Sequence, residues 1–317
     1  MSASHYHFGD EPAITPTILG ANDLESQPDI GEDPIRAVAR LPGVASQDFS
    51  SRVYMRGGPR TKRSCASMTC ASYNPYHLKD FFSVFSTIDP GIVSDIRIYT
   101  GGFPVAFGDR SSGVVDIAPR LPGPKFQGQA VASLLTAGVA LDGSFDDGAG
   151  DWAVAARRGN MDLYFNLVDS PLGEPQYHDL YGHVGHRLND WFALSANALV
   201  FDDRIQAFDS DQEEEAVAEY RDQYYWLRAD LGAPDGLGGR VLASHTLIES
   251  SRAGTADLPG IASGEMADER HFTIDTLQAD GWWRLGAHTL LQAGAEWKQR
   301  ERALRLFRTR PTSPCCS

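Results

Sequence analysis

The chain has 317 residues and a formal net charge of −14. That balance excludes sequence-independent nucleic-acid binding, which needs a basic face, so no nucleic acid partner is expected. No apolar run approaches the ~18 residues of a membrane helix, which excludes a helical membrane protein but leaves a membrane β-barrel, whose strands are only half apolar.

Residues 1–30 read as a polar, irregular lead-in. "MSASHYHFGDEPAITPTILG" has neither a basic n-region nor a continuous apolar h-region, so no signal peptide is expected. Residues 31–122 are Gly-rich and mixed. In "GEDPIRAVARLPGV", Asp33 can cap a helix, Pro34 suits its first position, and Ile35, Val38 and Ala39 share a face. Pro42-Gly43 ends it. "SDIRIYTGG" and "GVVDIAP" read as strands, the first with Ile96 and Ile98 alternating against Arg97 and Tyr99.

From residue 126 onward the pattern is strand after strand, at about 126–135, 139–147, 151–158, 176–188, 191–202, 218–231, 238–250, 270–285 and 288–300. In "WFALSANALVF", Phe192, Leu194, Ala196, Ala198 and Val200 oppose Ser195 and Asn197. In "TLLQAGAEWKQ", Leu291, Ala293, Ala295 and Trp297 oppose Gln292, Glu296 and Lys298. After the first hairpin, short connections ("DDGAG", "ND", "GAPDGLG", "GA") alternate with long polar ones. Short turns on one rim and long loops on the other are the pattern of an outer-membrane barrel. Trp152, Trp191, Tyr224, Trp226 and Trp283, near strand ends, suit aromatic girdles, although core packing explains each singly.

"DPIRAVARLPGV", "RVYMRGG" and "YNPYHLKDFFSVFSTIDPGIVSDIRIYTGGFPVAFGDRSSGVVDI" together resemble the plug domain of TonB-dependent outer-membrane receptors. The strands after 126 are similar to the start of that family's barrel. The resemblance implies a mainly β fold: a small α+β plug (31–122), then the first nine or so antiparallel strands (126–300) of an incomplete transmembrane barrel. In the family the barrel has roughly 22 strands with the plug in its lumen. It also implies a location in the outer membrane, contact with its lipid, energy from the TonB complex and import of a scarce ligand that the sequence does not identify. No enzyme activity is expected, since neither G-x-S-x-G nor a phosphate loop occurs. Gly57, Gly58, Gly101, Gly102, Gly108 and Gly113 would permit tight turns and close approach in a crowded lumen. Arg56 and Arg110 would face wall carboxylates and anchor the plug, against the plainer reading of surface charge.

The chain also departs from the family. No segment matches a TonB box, and nine antiparallel strands cannot close. After Lys298, "RERALRLFRTRPTSPCCS" is basic and Pro-interrupted, so residues 301–317 are expected to be an aberrant tail and no strand. "PRTKRSCASMTCAS" is basic and cysteine-bearing where the family has strand, acidic turn and strand. Read one base earlier, Ser64, Cys65, Ser67, Cys70 and Ser72 all become apolar, so residues 61–72 are expected to be out of frame. A chain so altered is expected not to transport. Cys65 and Cys70 at C-x4-C, with Cys315 and Cys316, lack the paired spacing of a zinc site. The cysteine-free interval between Cys70 and Cys315 suits an exported chain. "DSDQEEEA" lacks the ordered oxygens of a calcium loop, and His178 and His186 share a strand face that His183 does not. Neither a cofactor nor a metal is expected. The alternative to a receptor is a soluble or surface-attached β-rich binding protein.

Overall fold

Two patterns in the sequence, irregular Gly-rich and strictly alternating, become two structural parts. The computed structural model describes residues 16–26, 33–46, 50–55, 64–67, 70–72, 75–79, 83–101, 107, 113–163, 175–208, 215–232, 236–258, 262–286 and 289–308. The plug contains β1 (Thr17–Gly20), α1 (Ala21–Ser26), α2 (Pro34–Val38), β2 (Val44–Ser46), β3 (Val53–Met55), β4 (Ser64–Ser67), β5 (Cys70–Ser72), β6 (Val93–Tyr99) and β7 (Val114–Pro119). Its main sheet has the order β1-β6-β7-β4-β5, and β2 and β3 form a separate pair. α2 starts as expected: the Asp33 carboxylate accepts from Ile35 N at 2.9 Å, with Pro34 in the first turn. Gly43, at φ +80°, turns the chain out of it at no steric cost. Ile35 and Val38 pack against Ile96, Ile98, Val115 and Ile117, all almost fully buried. Each such side chain contributes about 1.5–3 kcal/mol. Within the cysteine-bearing stretch, β4 runs parallel to β7 and antiparallel to β5, with Cys65 opposite Ser72 and Cys70 opposite Ser67.

The wall consists of β8 (Gln127–Ala132), β9 (Thr136–Phe145), β10 (Gly150–Gly159), β11 (Gln176–Asn189), β12 (Phe192–Phe208), β13 (Glu215–Gly232), β14 (Leu237–Leu258), β15 (Ala262–Arg284) and β16 (Leu290–Arg308). They form one antiparallel nine-stranded sheet in chain order. Alternation divides the sheet into two faces. One face buries Tyr177, Leu199, Phe201, Tyr224, Trp226 and Leu242. The other leaves Leu180, Leu194, Leu227, Leu277, Leu291 and Trp297 exposed, between 43 and 57 %. An exposed apolar face of this extent is what a lipid-facing band requires. Above it the same face turns polar, and Arg204, Arg221, Glu219 and Glu249 help line a groove of about 730 Å³.

All nine expected strands occur, but several are longer than the alternation indicated. β14 and β15 have 22 and 23 residues and meet almost end to end, Leu258 opposite Ala262. β16 corrects the expectation of no strand after Lys298: it pairs with β15 as far as Arg308 opposite Met266. Above the apolar band both faces carry polar side chains, so backbone pairing suffices and an apolar face is not needed. The girdle reading is corrected too. Trp191 and Trp283 are exposed, at 66 and 50 %, but Tyr224 and Trp226 share the inward parity and are buried beneath the plug.

Candidate functional site: the junction of plug and wall

The segment 75–92 carries the plug onto the wall. Its two arms are held by the Tyr76–Ser86 bridge, His77 N donating to Phe85 O at 2.8 Å, and Thr87 N donating to Pro75 O at 3.1 Å. Leu78 and Ser83 both take φ +52°, a left-handed conformation costing a non-glycine residue roughly 1–2 kcal/mol. Leu78 is fully buried against Phe85, Tyr177 and Ile205, and its N–H donates to Asp203 Oδ2 at 2.9 Å. The wall therefore holds this turn. Gly91 permits the next approach: a Cβ there would stand 3.1 Å from Ala140 Cβ.

Charge organises the junction. His77, with no exposed surface, stacks on Tyr177 at 4.1 Å between centroids and meets Phe201 edge-on. Its Nδ1 lies 2.5 Å from Asp203 Oδ1, and its Nε2 lies 2.6 Å from Asp179 Oδ1 as an ion contact rather than an aligned hydrogen bond. Lys79 Nζ donates to Asp222 at 2.9 Å and sits 5.1 Å from the Tyr220 ring centroid. Arg157 Nε donates to Asp179 at 2.7 Å, while its other nitrogens reach back to the plug carbonyls of Ser86, at 2.6 Å, and Ile88, at 3.4 Å. Three cations (His77, Lys79, Arg157) thus face three carboxylates (Asp179, Asp203, Asp222). Burial alone would push the His77 imidazole down; the charges of Asp179 and Asp203 outweigh it and raise the pKa to about 9. The ring is therefore a cation at neutral pH, and the cluster is balanced.

A polar chain runs from this cluster into the plug core. Ser86, whose carbonyl accepts from Arg157, donates to the buried Asp33 carboxylate through its N–H at 2.7 Å and its hydroxyl at 2.6 Å. Asp33 also holds Ser51 Oγ and caps α2. One carboxylate thus starts a helix and ties three plug segments together.

Of the residues singled out in the sequence, Arg56, Gly57, Gly58, Gly102, Gly108 and Arg110 lie outside the described residues. Gly101 is half-buried in a bend after β6. Gly113 sits where an added Cβ would overlap Met55 Sδ and stand 2.9 Å from Tyr99 O. His183 faces inward, between Asn197 and Asp151, and His186 contacts Asp146 on the other face. Among the described residues no metal-binding group forms. His77, Lys79, Arg157 and the three aspartates were not anticipated. A signal for them exists: Asp179, Asp203 and Asp222 each lie between bulky residues two positions away, in Tyr177–Tyr181, Phe201–Ile205 and Tyr220–Tyr224. Three consecutive strands each carry one acid on an otherwise buried face, which demands cationic partners from elsewhere.

The same arrangement of a small mixed domain against an antiparallel sheet aligns with a set of solved structures. The ferric citrate transporter FecA in its unliganded form matches at TM-score 0.69 and 13 % identity, over 95 % of this chain and 51 % of that one. The ferripyoverdine receptor of Pseudomonas aeruginosa bound to ferripyoverdine matches at 0.66 and 14 %, over 92 % and 43 %. The siderophore receptor PirA from Pseudomonas aeruginosa matches at 0.56 and 14 %, over 91 % and 57 %. The chain has the fold of a TonB-dependent outer-membrane receptor. It spans between 43 and 57 % of the length of these three receptors, comprising plug and adjoining wall. No family model matches the sequence, and no curated protein matches it. The receptor fold is thus recognised at identities where few side chains correspond.

Proposed function

We propose that this chain is the plug and first wall segment of an outer-membrane receptor for energy-coupled uptake of a scarce ligand. The observation that carries the reading is the plug held by six buried charges against the inner face of a sheet whose outer face is an apolar band. A soluble sheet would cover that outer face, and lipid covers it here. The fold-related receptors are named for siderophores and ferric citrate, and an iron chelate is the ligand class proposed for this chain. In this reading the TonB complex supplies the energy that displaces the plug, and the ion cluster is what that energy works against. β8 and β16 each pair on one side only among the described residues, so closure requires further strands and the 317-residue polypeptide alone does not transport.

Expression of the gene in its full genomic frame, followed by fractionation, tests the reading. A heat-modifiable barrel in the outer membrane is expected. Recovery as a stable soluble monomer would instead support a β-rich binding protein.

A further inference from the structure

We propose that the lumen-facing side of β14–β16 binds an anionic, carboxylate-bearing metal chelate through Arg252, Arg270, Arg300 and Arg302. This rests on the uptake reading and specifies its ligand. Register places the four arginines on one face. Arg300 opposes Ile274 and Arg302 opposes Phe272; Arg270 opposes Ser250 and Leu304; Arg252 opposes Asp268. That parity is the inward one, because Leu242, Thr246 and Ile274 share it and are buried, whereas Leu277 and Trp297 take the other and are exposed. Arg252 and Arg270, and Arg270 and Arg302, are diagonal neighbours, about 7–8 Å apart at the backbone, and Arg300 stands two positions from Arg302 on the same strand, so the four form a continuous stripe across three strands.

The charge on this stripe is segregated. Glu249, Glu269, Asp275 and Glu301, from the same stretch of the same strands, all have the outward parity. On the inward face Asp268 is engaged by Arg270, at 2.5 and 3.0 Å, and Glu296 by Lys298, at 2.8 Å. Arg252 Nε donates to Tyr220 OH at 2.9 Å, which fixes its direction. Arg300 and Arg302 are exposed and form no ion pair among the described residues. Four arginines to one carboxylate is a local excess of positive charge in a chain whose net charge is −14. A planar guanidinium fork matches a carboxylate bidentately, and a row of them fits a compact polyanion better than a neutral or cationic chelate. The lipid phosphates of a membrane lie on the opposite face, so they are not the occupant.

The test is a calorimetric binding titration of the full chain, refolded in detergent, with ferric citrate, iron-free citrate and a ferric trihydroxamate that carries no negative charge. Ferric citrate is expected to bind, and its affinity to fall steeply with added salt. The pairs R300Q/R302Q and R252Q/R270Q are each expected to weaken it about tenfold or more, with R300K/R302K recovering only part of the loss. Binding of iron-free citrate as tightly as the chelate would show a general carboxylate site and overturn the chelate assignment. No ferric citrate binding, unchanged affinity in both Gln pairs, or preference for the trihydroxamate would overturn the inference. The last two leave the receptor reading intact, since fractionation of the full-length product decides that independently.

Discussion

At the residue scale, the junction predicts what single substitutions do. His77→Ala removes one cation from between two buried carboxylates, and leaving such charges uncompensated costs roughly 3–5 kcal/mol. Plug unfolding, followed by calorimetry in detergent, should occur at markedly lower temperature in this variant. The pH dependence follows in sign. The folded pKa, about 9, lies above the unfolded value of 6.5, so the contribution of His77 is complete below pH 6.5 and is lost as pH rises through 9. Wild-type plug stability should fall between pH 6.5 and 9.5 by more than that of His77→Ala over the same range. Lys79→Met alone should cost about as much as the histidine change, and Lys79→Met with Asp222→Leu much less, because the pair is removed without leaving a buried charge. Asp33 was legible as a cap because its partner Ile35 is two residues away. His77 was not legible as an anchor because Asp203 is 126 residues away, and local pattern contains no such distance.

At the element scale, alternation revealed every wall strand but not its length. Alternation persists only at the depth where the sheet carries the apolar outer band or packs against the plug. Beyond that depth β13, β14 and β16 continue with polar residues, Arg221, Glu249 and Glu301 standing where Leu227, Leu247 and Trp297 lie lower on the same faces. Backbone pairing alone extends them, which is why the basic stretch after Lys298 read as a broken pattern and is a strand. The outer band makes a depth-dependent prediction. Leu227→Arg should destabilise the chain in bilayers by about 2–4 kcal/mol, while Arg221→Ala, six residues along the same face, should change little. Urea titration of vesicle-inserted protein measures both. The same substitutions in detergent should differ less, because micelles deform around charge. Parity errors explain the aromatic misreading as well. Tyr224 and Trp226 lie close to a strand's middle on the inward face, and only the identity of their neighbours across the sheet distinguishes a girdle from a core.

At the scale of the whole molecule, plug and wall share their cores. Ile92 of the plug clusters with Tyr181, Phe201 and Tyr224 of the wall, and Leu78 and Phe85 with Tyr177 and Ile205. Single-transition unfolding is therefore expected for the wild type, and two separate transitions for His77→Ala, once the charges no longer couple the parts. The division into plug and wall was legible because the two parts differ in composition. Their docking was not, since it depends on one turn, 75–87, meeting four strands at once.

That meeting has a mechanical side. Arg157, Asp179, Asp203 and Asp222 come one each from β10, β11, β12 and β13, so the turn is gripped by four neighbouring strands rather than by one. A pull along the strands loads all four attachments together, and they must rupture at once. A pull across them loads the outermost first and opens the rest in sequence, as a zip. The force needed to withdraw the plug therefore depends on direction, and a machine that tugs from one side need not be as strong as the attachment it undoes.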